Sequence, residues 1–475
     1  MKNNRFFPAF LLALLSGAAL HATHNYAGEI IFRKTGPLSV EAQIVTYTKI
    51  TSVSADRDTL IICWGDGSCE TVVRVNGPGN NGEPITSLLK KNIYTGAHTY
   101  ASAQVYTISM TDPNRSAGII NVNPPQSENV PFHLQSTVSF LPEAANSLSS
   151  PELLQAPADA ALVGQPFLHV PAAFDPDGDS LAYELVVPMQ AVDMWVPNYS
   201  FPNQIGPGSN NLLEVSALSG KITWKSPQVA GEYVLAVLIK SYRNSQLVES
   251  VLRDMVIFVG IGANLPPDLS LNVPDEQIID VPVGDTVSVL VQTSDPDTGQ
   301  TVTLRSVSGL YGDFQSPAVF MSLGTDGIFH WKAAPEHVRE QPYAVVFKAQ
   351  DDGQGFAAGG SMPEQDPGEG LTTYKVVLFR VRQTVAAGEP VVAGQRLRVF
   401  PNPAPAMVTV DWAIPLPAEA HLQVLDTLGR LTCTTGLSAG TTHQQLDTSG
   451  WPAGLYRVQL LTEGTSHPPV WLLKN

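Results

Sequence analysis

From Glu29 to its end the chain is written in short runs that alternate apolar and polar residues, each cut off by Gly, Pro, Asn or Asp. Thr59-Leu60-Ile61-Ile62-Cys63-Trp64, Val234-Leu235-Ala236-Val237-Leu238-Ile239 and Tyr343-Ala344-Val345-Val346-Phe347 are typical. Successive side chains of a strand point to opposite faces, whereas a helix repeats its apolar positions three and four apart. No long helical period follows the first 22 residues, so the chain is read as all-β. A single core stops growing near about 250–300 residues. At 475 residues the chain is expected to fold as several β-sandwiches in tandem.

At the amino terminus Lys2 and Arg5 precede the apolar run Phe6 to Leu15 and then small residues. This predicts a secretory signal over residues 1–22. The apolar run is shorter than the about 20 residues of a membrane span and no second run follows, so no transmembrane anchor is expected. The net charge is -16, and residues 395–475 hold five basic and five acidic residues, which leaves the excess acid upstream. Such a body repels phosphate backbones, which argues against a nucleic-acid partner, and attracts cations.

Residues 23–147 carry Cys63 and Cys69 around Trp64-Gly65-Asp66-Gly67-Ser68, a strand-turn-strand pattern. Export into an oxidising compartment favours a disulfide across that hairpin. Two reduced buried thiols, or a metal site completed by His98, are the alternatives. Further on come His98-Thr99-Tyr100 and Val105-Tyr106-Thr107-Ile108-Ser109-Met110-Thr111-Asp112. The pairing of W-x-GDG with HTY and a following strand resembles PKD-type immunoglobulin-like domains.

Residues 148–263 and 264–384 read as two copies of one unit. Phe174-Asp175-Pro176-Asp177-Gly178-Asp179 matches Ser294-Asp295-Pro296-Asp297, and Gly220-Lys221-Ile222-Thr223-Trp224 matches Gly327-Ile328-Phe329-His330-Trp331. A Tyr-led strand follows each, from Tyr233 and Tyr343. These landmarks are similar to the cadherin-like and immunoglobulin-like repeats of bacterial surface proteins. Trp224 and Trp331 are expected in cores. Calcium is the one candidate cofactor, because alternating carboxylates can converge on a hard cation. Its candidate ligands are Asp295, Asp297, Asp351 and Asp352 in the third segment and Asp175, Asp177 and Asp179 in the second. An EF-hand is ruled out, since the twelfth position from Asp175 is Val186. Arg243, at the place matching Asp351-Asp352, opposes a cation in the second segment. The bland alternative is a set of solvated turns in which Asp caps its own backbone.

No H-E-x-x-H pair, phosphate loop or paired C-x-x-C motif occurs, so the chain is read as non-enzymatic. Trp195, Tyr199 and Phe201 lie in a Pro- and Asn-rich stretch and are candidates for stacking on sugars. The Gly- and acid-rich residues 350–373 read as a long loop.

After a linker at 385–394, residues 395–475 hold Val399-Phe400-Pro401-Asn402-Pro403, then Val424-Leu425-Asp426-Thr427-Leu428-Gly429-Arg430. Asp447-Thr448-Ser449 leads to Gly454-Leu455-Tyr456, and Lys474 stands next to last. These motifs, in order, resemble the type A sorting domain of the Bacteroidetes type IX secretion system. The landmarks are Pro401, Asn402, Pro403, Asp426, Gly429, Arg430, Gly454, Tyr456 and Lys474; Gly454 is expected to admit close packing near Tyr456. The resemblance implies recognition by the type IX translocon and its sorting protease, then release or attachment at the outer-membrane surface. The whole chain is thus expected to be tandem immunoglobulin-like β-sandwiches with a C-terminal β-sandwich sorting domain. The expected role is adhesin, spacer or matrix component, with a carbohydrate-binding or enzyme-accessory protein as the alternative and a surface glycan or protein as ligand.

Overall fold

The computed structural model describes residues 25–53, 56–353, 356–357, 370–383, 397–412, 415–416, 418–426, 430–462, 465–466 and 469–474. The signal segment, the linker, Gly429 and most of the loop within 350–373 lie outside them. The chain divides into two compact units, Met1–Gln383 and Thr384–Asn475. Among the described residues both are built from strands, and the first unit carries three-residue 3₁₀ turns besides.

In the first unit one strand organises the rest. Gln246–Gly262 is 17 residues long, and Val248 through Gly260 are all buried, Glu249, Arg253 and Asp254 included. Gly231–Arg243 pairs with it from Gly231↔Val259 to Arg243↔Gln246. Its other edge is shared in turn. Phe132–Ser139 takes Glu249 to Val251, Asn25–Gly36 takes Asp254 and Met255, and Ala160–Leu162 runs parallel to Phe258 through Gly260. The hydrogen-bonded sheet thus runs from Cys69–Val73 through Thr59–Cys63, Val105–Asp112 and Phe132–Ser139 to Gln246–Gly262. It continues through Asn25–Gly36 and Ser39–Lys49 to Leu89–Thr99 and Glu83–Pro84. Strands from either side of residue 148 are therefore neighbours in one sheet.

The two halves of the first segment close over Ile30, Phe32, Ile44, Ile62, Trp64, Tyr94, Ile108 and Leu134. The second segment buries Phe167, Trp224 and Tyr233 in a core that also takes Tyr47 and Val130 from the first. The third is a four-on-four sandwich. Asp268–Leu271, Thr286–Ser294, Asp326–Lys332 and Val319–Leu323 face Ile278–Pro282, Thr372–Arg382, Tyr343–Gln350 and Thr303–Ser308 over Phe329, Trp331, Phe347 and Phe379. Trp224 and Trp331 are both core residues, and Trp224 Nε1 donates to Asn211 Oδ1 at 2.6 Å.

The second unit is a smaller sandwich. Leu397–Phe400, Met407–Trp412 and His443–Asp447 form one sheet; Leu431–Leu437, Ala420–Asp426, Gly454–Thr462 and Val470–Lys474 form the other. Val410, Trp412, Leu422, Val458 and Leu472 fill its interior.

Candidate functional site

The disulfide hairpin is formed as expected: Cys63 and Cys69 are directly opposed across the ladder and bonded, while Cys433 is free. Gly65 and Gly67 turn the chain with φ of 84° and 93°, a region that suits Gly. A Cβ on Gly65 would fall 2.6 Å from the Thr107 carbonyl. Asp66 closes the turn: its Oδ1 accepts from the Ser68 amide at 3.0 Å and hydroxyl at 2.6 Å, and its Oδ2 meets His98 Nε2 at 2.8 Å. The Ser68 bonds, then His98, hold the Asp66 carboxyl below its usual range. His98 stacks on Trp64, and Tyr100 donates to the Trp64 carbonyl at 3.0 Å. Motifs some 30 residues apart in sequence (|i−j| of 32 for Asp66 and His98) thus form one structural cluster.

The acidic turn of the second segment is satisfied by the protein itself. Asp175 Oδ1 accepts from the amides of Asp177 and Asp179, both at 3.0 Å, and Oδ2 from Ser241 at 3.1 Å. Asp177 Oδ2 takes the amides of Leu148 at 2.8 Å and Ser149 at 2.7 Å. Asp179 is held by the Ser147 hydroxyl at 2.9 Å and by Arg243 Nε at 2.5 Å. Arg243 therefore supplies a positive charge to this turn from within the chain. Burial still pushes Asp175 up to about 6.

The third segment lacks that arginine. Asp297 Oδ2 accepts from the Leu265 amide at 2.7 Å, and Asp351 from Asn264 Nδ2 at 2.9 Å. Asp352 takes the Thr301 hydroxyl at 2.9 Å. Asp295 Oδ1 takes the Asp297 amide at 2.8 Å, while its Oδ2 is buried with no hydrogen-bond partner. Burial, then crowding by Asp297, Asp352 and Asp268, raises the Asp295 carboxyl. Among the described residues no three His, Cys, Asp or Glu side chains are placed to hold a metal ion.

Of the three aromatics, Trp195 is 56% exposed beside Val192 and Met194, on the hairpin Met189–Ala191 and Met194–Trp195. Val192, at its tip, walls a cleft of about 350 Å³ with Val105, Thr107 and the disulfide hairpin. Tyr199 and Phe201 are half-buried against the second core, and the Tyr199 hydroxyl donates to the Val234 carbonyl at 3.1 Å.

Sequence reading missed the charges buried where the segments meet. Arg253 clasps Glu29 with Nε at 3.1 Å and Nη2 at 2.8 Å, and Asp254 receives Arg115 at 3.0 and 2.6 Å. Lys49 meets Glu232 at 2.5 Å. Asp159 lies under Lys348 at 2.8 Å, His169 at 2.7 Å and the Tyr374 hydroxyl at 2.8 Å, tying the second segment to the third. The signal available was Arg253-Asp254 in the middle of an apolar run.

In the tail, Asn402 pins the last strand: its Nδ2 donates to the Trp471 carbonyl at 2.8 Å and its Oδ1 accepts from Leu473 N at 2.9 Å. Pro401 and Pro403 flank it in the same turn. Asp426 takes the Arg430 amide at 2.9 Å and its Nε at 2.7 Å. Tyr456 donates to the Pro452 carbonyl at 2.8 Å, and Gly454 pairs with Lys474. No described atom lies within 4 Å of a Cβ on Gly454, so close packing does not explain that glycine.

Residues 398–468 match the family described as secretion system C-terminal sorting domain. The tail is thus a type IX secretion sorting domain, which implies engagement of that machinery and secretion to the cell surface or beyond. No described helix is long and apolar enough to cross a membrane. Among solved structures, the titin domains Z1Z2 in complex with telethonin are similar at 12% identity and TM-score 0.16, over 50% of this chain and 98% of that one. Human protocadherin-24 EC1-2 is similar at 18% identity and TM-score 0.16, over 49% and 99%. The N-terminal eight immunoglobulin domains of the Down syndrome cell adhesion molecule align over 95% and 49%, at 10% identity and TM-score 0.16. No curated protein matches the chain. The chain is an all-β protein of β-sandwiches ending in a sorting domain.

Proposed function

We propose that residues 23–384 form a non-enzymatic surface module, an adhesin or rigid spacer, delivered by the tail after removal of a signal over residues 1–22. The observation that carries this reading is the tail's match to the sorting family, attached to a body whose buried charges are paired across its segments. Buried ion pairs fix relative orientation more than they add stability, and a fixed orientation suits a part that presents a surface. The test is fractionation of the native host with mass spectrometry of both termini. The body is expected outside the cell, begun near Thr23 and without the tail. Deletion of residues 395–475 is expected to hold it in the periplasm; a deleted chain that still reaches the surface overturns the reading.

A second reading, glycan recognition, is favoured by one observation: Trp195 stands exposed on the hairpin whose tip residue, Val192, walls a cleft. An exposed indole face is suited to stacking on a sugar ring. A glycan array that shows no binding to the full chain, or binding unchanged by Trp195→Ala, removes it.

A further inference from the structure

Lys34 of Asn25–Gly36 and Glu249 of Gln246–Gly262 meet in the interior with side chains 6% and 0% exposed. Lys34 Nζ stands 3.6 Å from Glu249 Oε1, beyond hydrogen-bond range. It donates instead to the carbonyls of Ser139 at 2.6 Å and Ala144 at 3.0 Å, with the Phe140 ring 5.3 Å away. Both carboxyl oxygens of Glu249 are buried without a hydrogen-bond partner. The Ser147 hydroxyl, which also acts on Glu249, donates to Asp179 at 2.9 Å.

That geometry puts the two groups at the long end of ion-pair distance with no hydrogen bond between them, a poor arrangement for two buried charges. A carboxylate stripped of water and given no donor is among the costliest groups to bury, and an ammonium would hold a third proton with no acceptor in range. It is right for two neutral groups: an amine whose two protons go to two carbonyls and whose lone pair faces an un-ionised acid. Burial drives both the same way, Glu249 up to about 8 with help from Asp175 and Asp177, and Lys34 down.

We propose that Lys34 and Glu249 condense to an intramolecular amide that staples the first strand of the body to its longest one. The amine lone pair attacks the Glu249 carboxyl carbon. A bond forms between Nζ and that carbon, the acid's C–O(H) bond breaks, and the hydroxyl leaves as water with a proton from the nitrogen. Nothing is oxidised or reduced and no co-reactant is needed. Two groups held this close react at a very high effective molarity, and the product removes the one acid that the interior leaves unsolvated at this junction. The staple joins strands that lie on opposite sides of residue 148, at the end of the sheet where Asp177 holds the Leu148 and Ser149 amides.

Intact-mass spectrometry of the purified full chain decides the matter. The expected mass is lighter than the sequence by one water beyond the two hydrogens of the disulfide, and proteolysis is expected to release a branched peptide joining Lys34 to Glu249. The water deficit is expected to vanish in Lys34→Arg and in Glu249→Ala. A wild-type chain at its full sequence mass less two hydrogens overturns the proposal, and so does a deficit that persists in Lys34→Arg. The wild-type measurement stands alone should either variant fail to fold.

Discussion

Arg253 and Asp254 are consecutive in one strand, so their side chains leave opposite faces of it; each finds a buried partner from the first segment. Arg115, 2% exposed on its side chain, also donates to the carbonyls of Pro131 and Met189, both at 3.1 Å. Replacing it with Met leaves the fully buried Asp254 carboxylate without its cation, a change that costs about 3–5 kcal/mol. The double change Arg115→Met with Asp254→Leu removes both charges. It is expected to regain at least half of the loss, because burial raises the Asp254 carboxyl despite the guanidinium, which marks a pair that does not fully offset its desolvation. Urea unfolding of the full chain, followed by tryptophan fluorescence, measures both variants, with Trp64 in the first core and Trp224 in the second as the buried reporters. Both cores are expected to shift together in Arg115→Met. The reasoning fails if that single variant loses less than about 1 kcal/mol, as an exposed pair would, or if the double variant loses as much as the single changes summed.

Asp175→Asn tests the buried turn. The folded carboxyl is raised from 3.8 to about 6, so its contribution is full below 3.8 and is lost as pH rises through about 6. The melting temperature of the Asn variant, relative to wild type, is therefore expected to climb from acid to neutral pH; a flat difference refutes the assignment. Because no three described carboxylates of the third segment are placed to hold a metal ion, calcium and EDTA are expected to leave the melting temperature of the full chain unchanged; a calcium-dependent rise that Asp295→Asn abolishes and Asp175→Asn does not refutes this. Replacing Cys63 and Cys69 together with Ser is expected to cost about 2 kcal/mol for so short a loop, read from the urea midpoint.

The all-β class was legible because alternation is a local property, and Trp224, Trp331 and the tail's landmarks each sit inside such a pattern. The roles of Tyr199 and Phe201 were not. A Pro- and Asn-rich stretch reads as exposed, yet here both rings pack against the second core and the Tyr199 hydroxyl reaches the Val234 carbonyl. The acidic turns were legible as turns, and Arg243 stands beside one of them, on Asp179. Which carboxylate keeps an open oxygen was not, since that depends on amides from Leu148, Ser149 and Leu265. Partners of buried charges are illegible for the same reason: Glu29 and Arg253 lie 224 positions apart, and Arg115 and Asp254 139 apart.

The repeat pattern invites cutting the chain at 148, and the sheet argues against it. A fragment of residues 148–384 would keep Gln246–Gly262 but lose both Phe132–Ser139 and Asn25–Gly36 from its second edge. Backbone groups at Glu249, Val251 and Asp254 would lose their ladder bonds, and Arg253, Asp254 and Glu232 would lose Glu29, Arg115 and Lys49. Water can solvate these groups only by reaching both faces of the strand, which also carry Val251, Met255 and Val259 on one side and Leu252 and Val256 on the other, and the bared edge would be prone to pair with other chains. The fragment is expected to aggregate or to lack a cooperative thermal transition by circular dichroism, whereas residues 23–384 should show one. A soluble 148–384 fragment with a sharp transition would show that the second segment's own core suffices, and ligand screens could then use it alone.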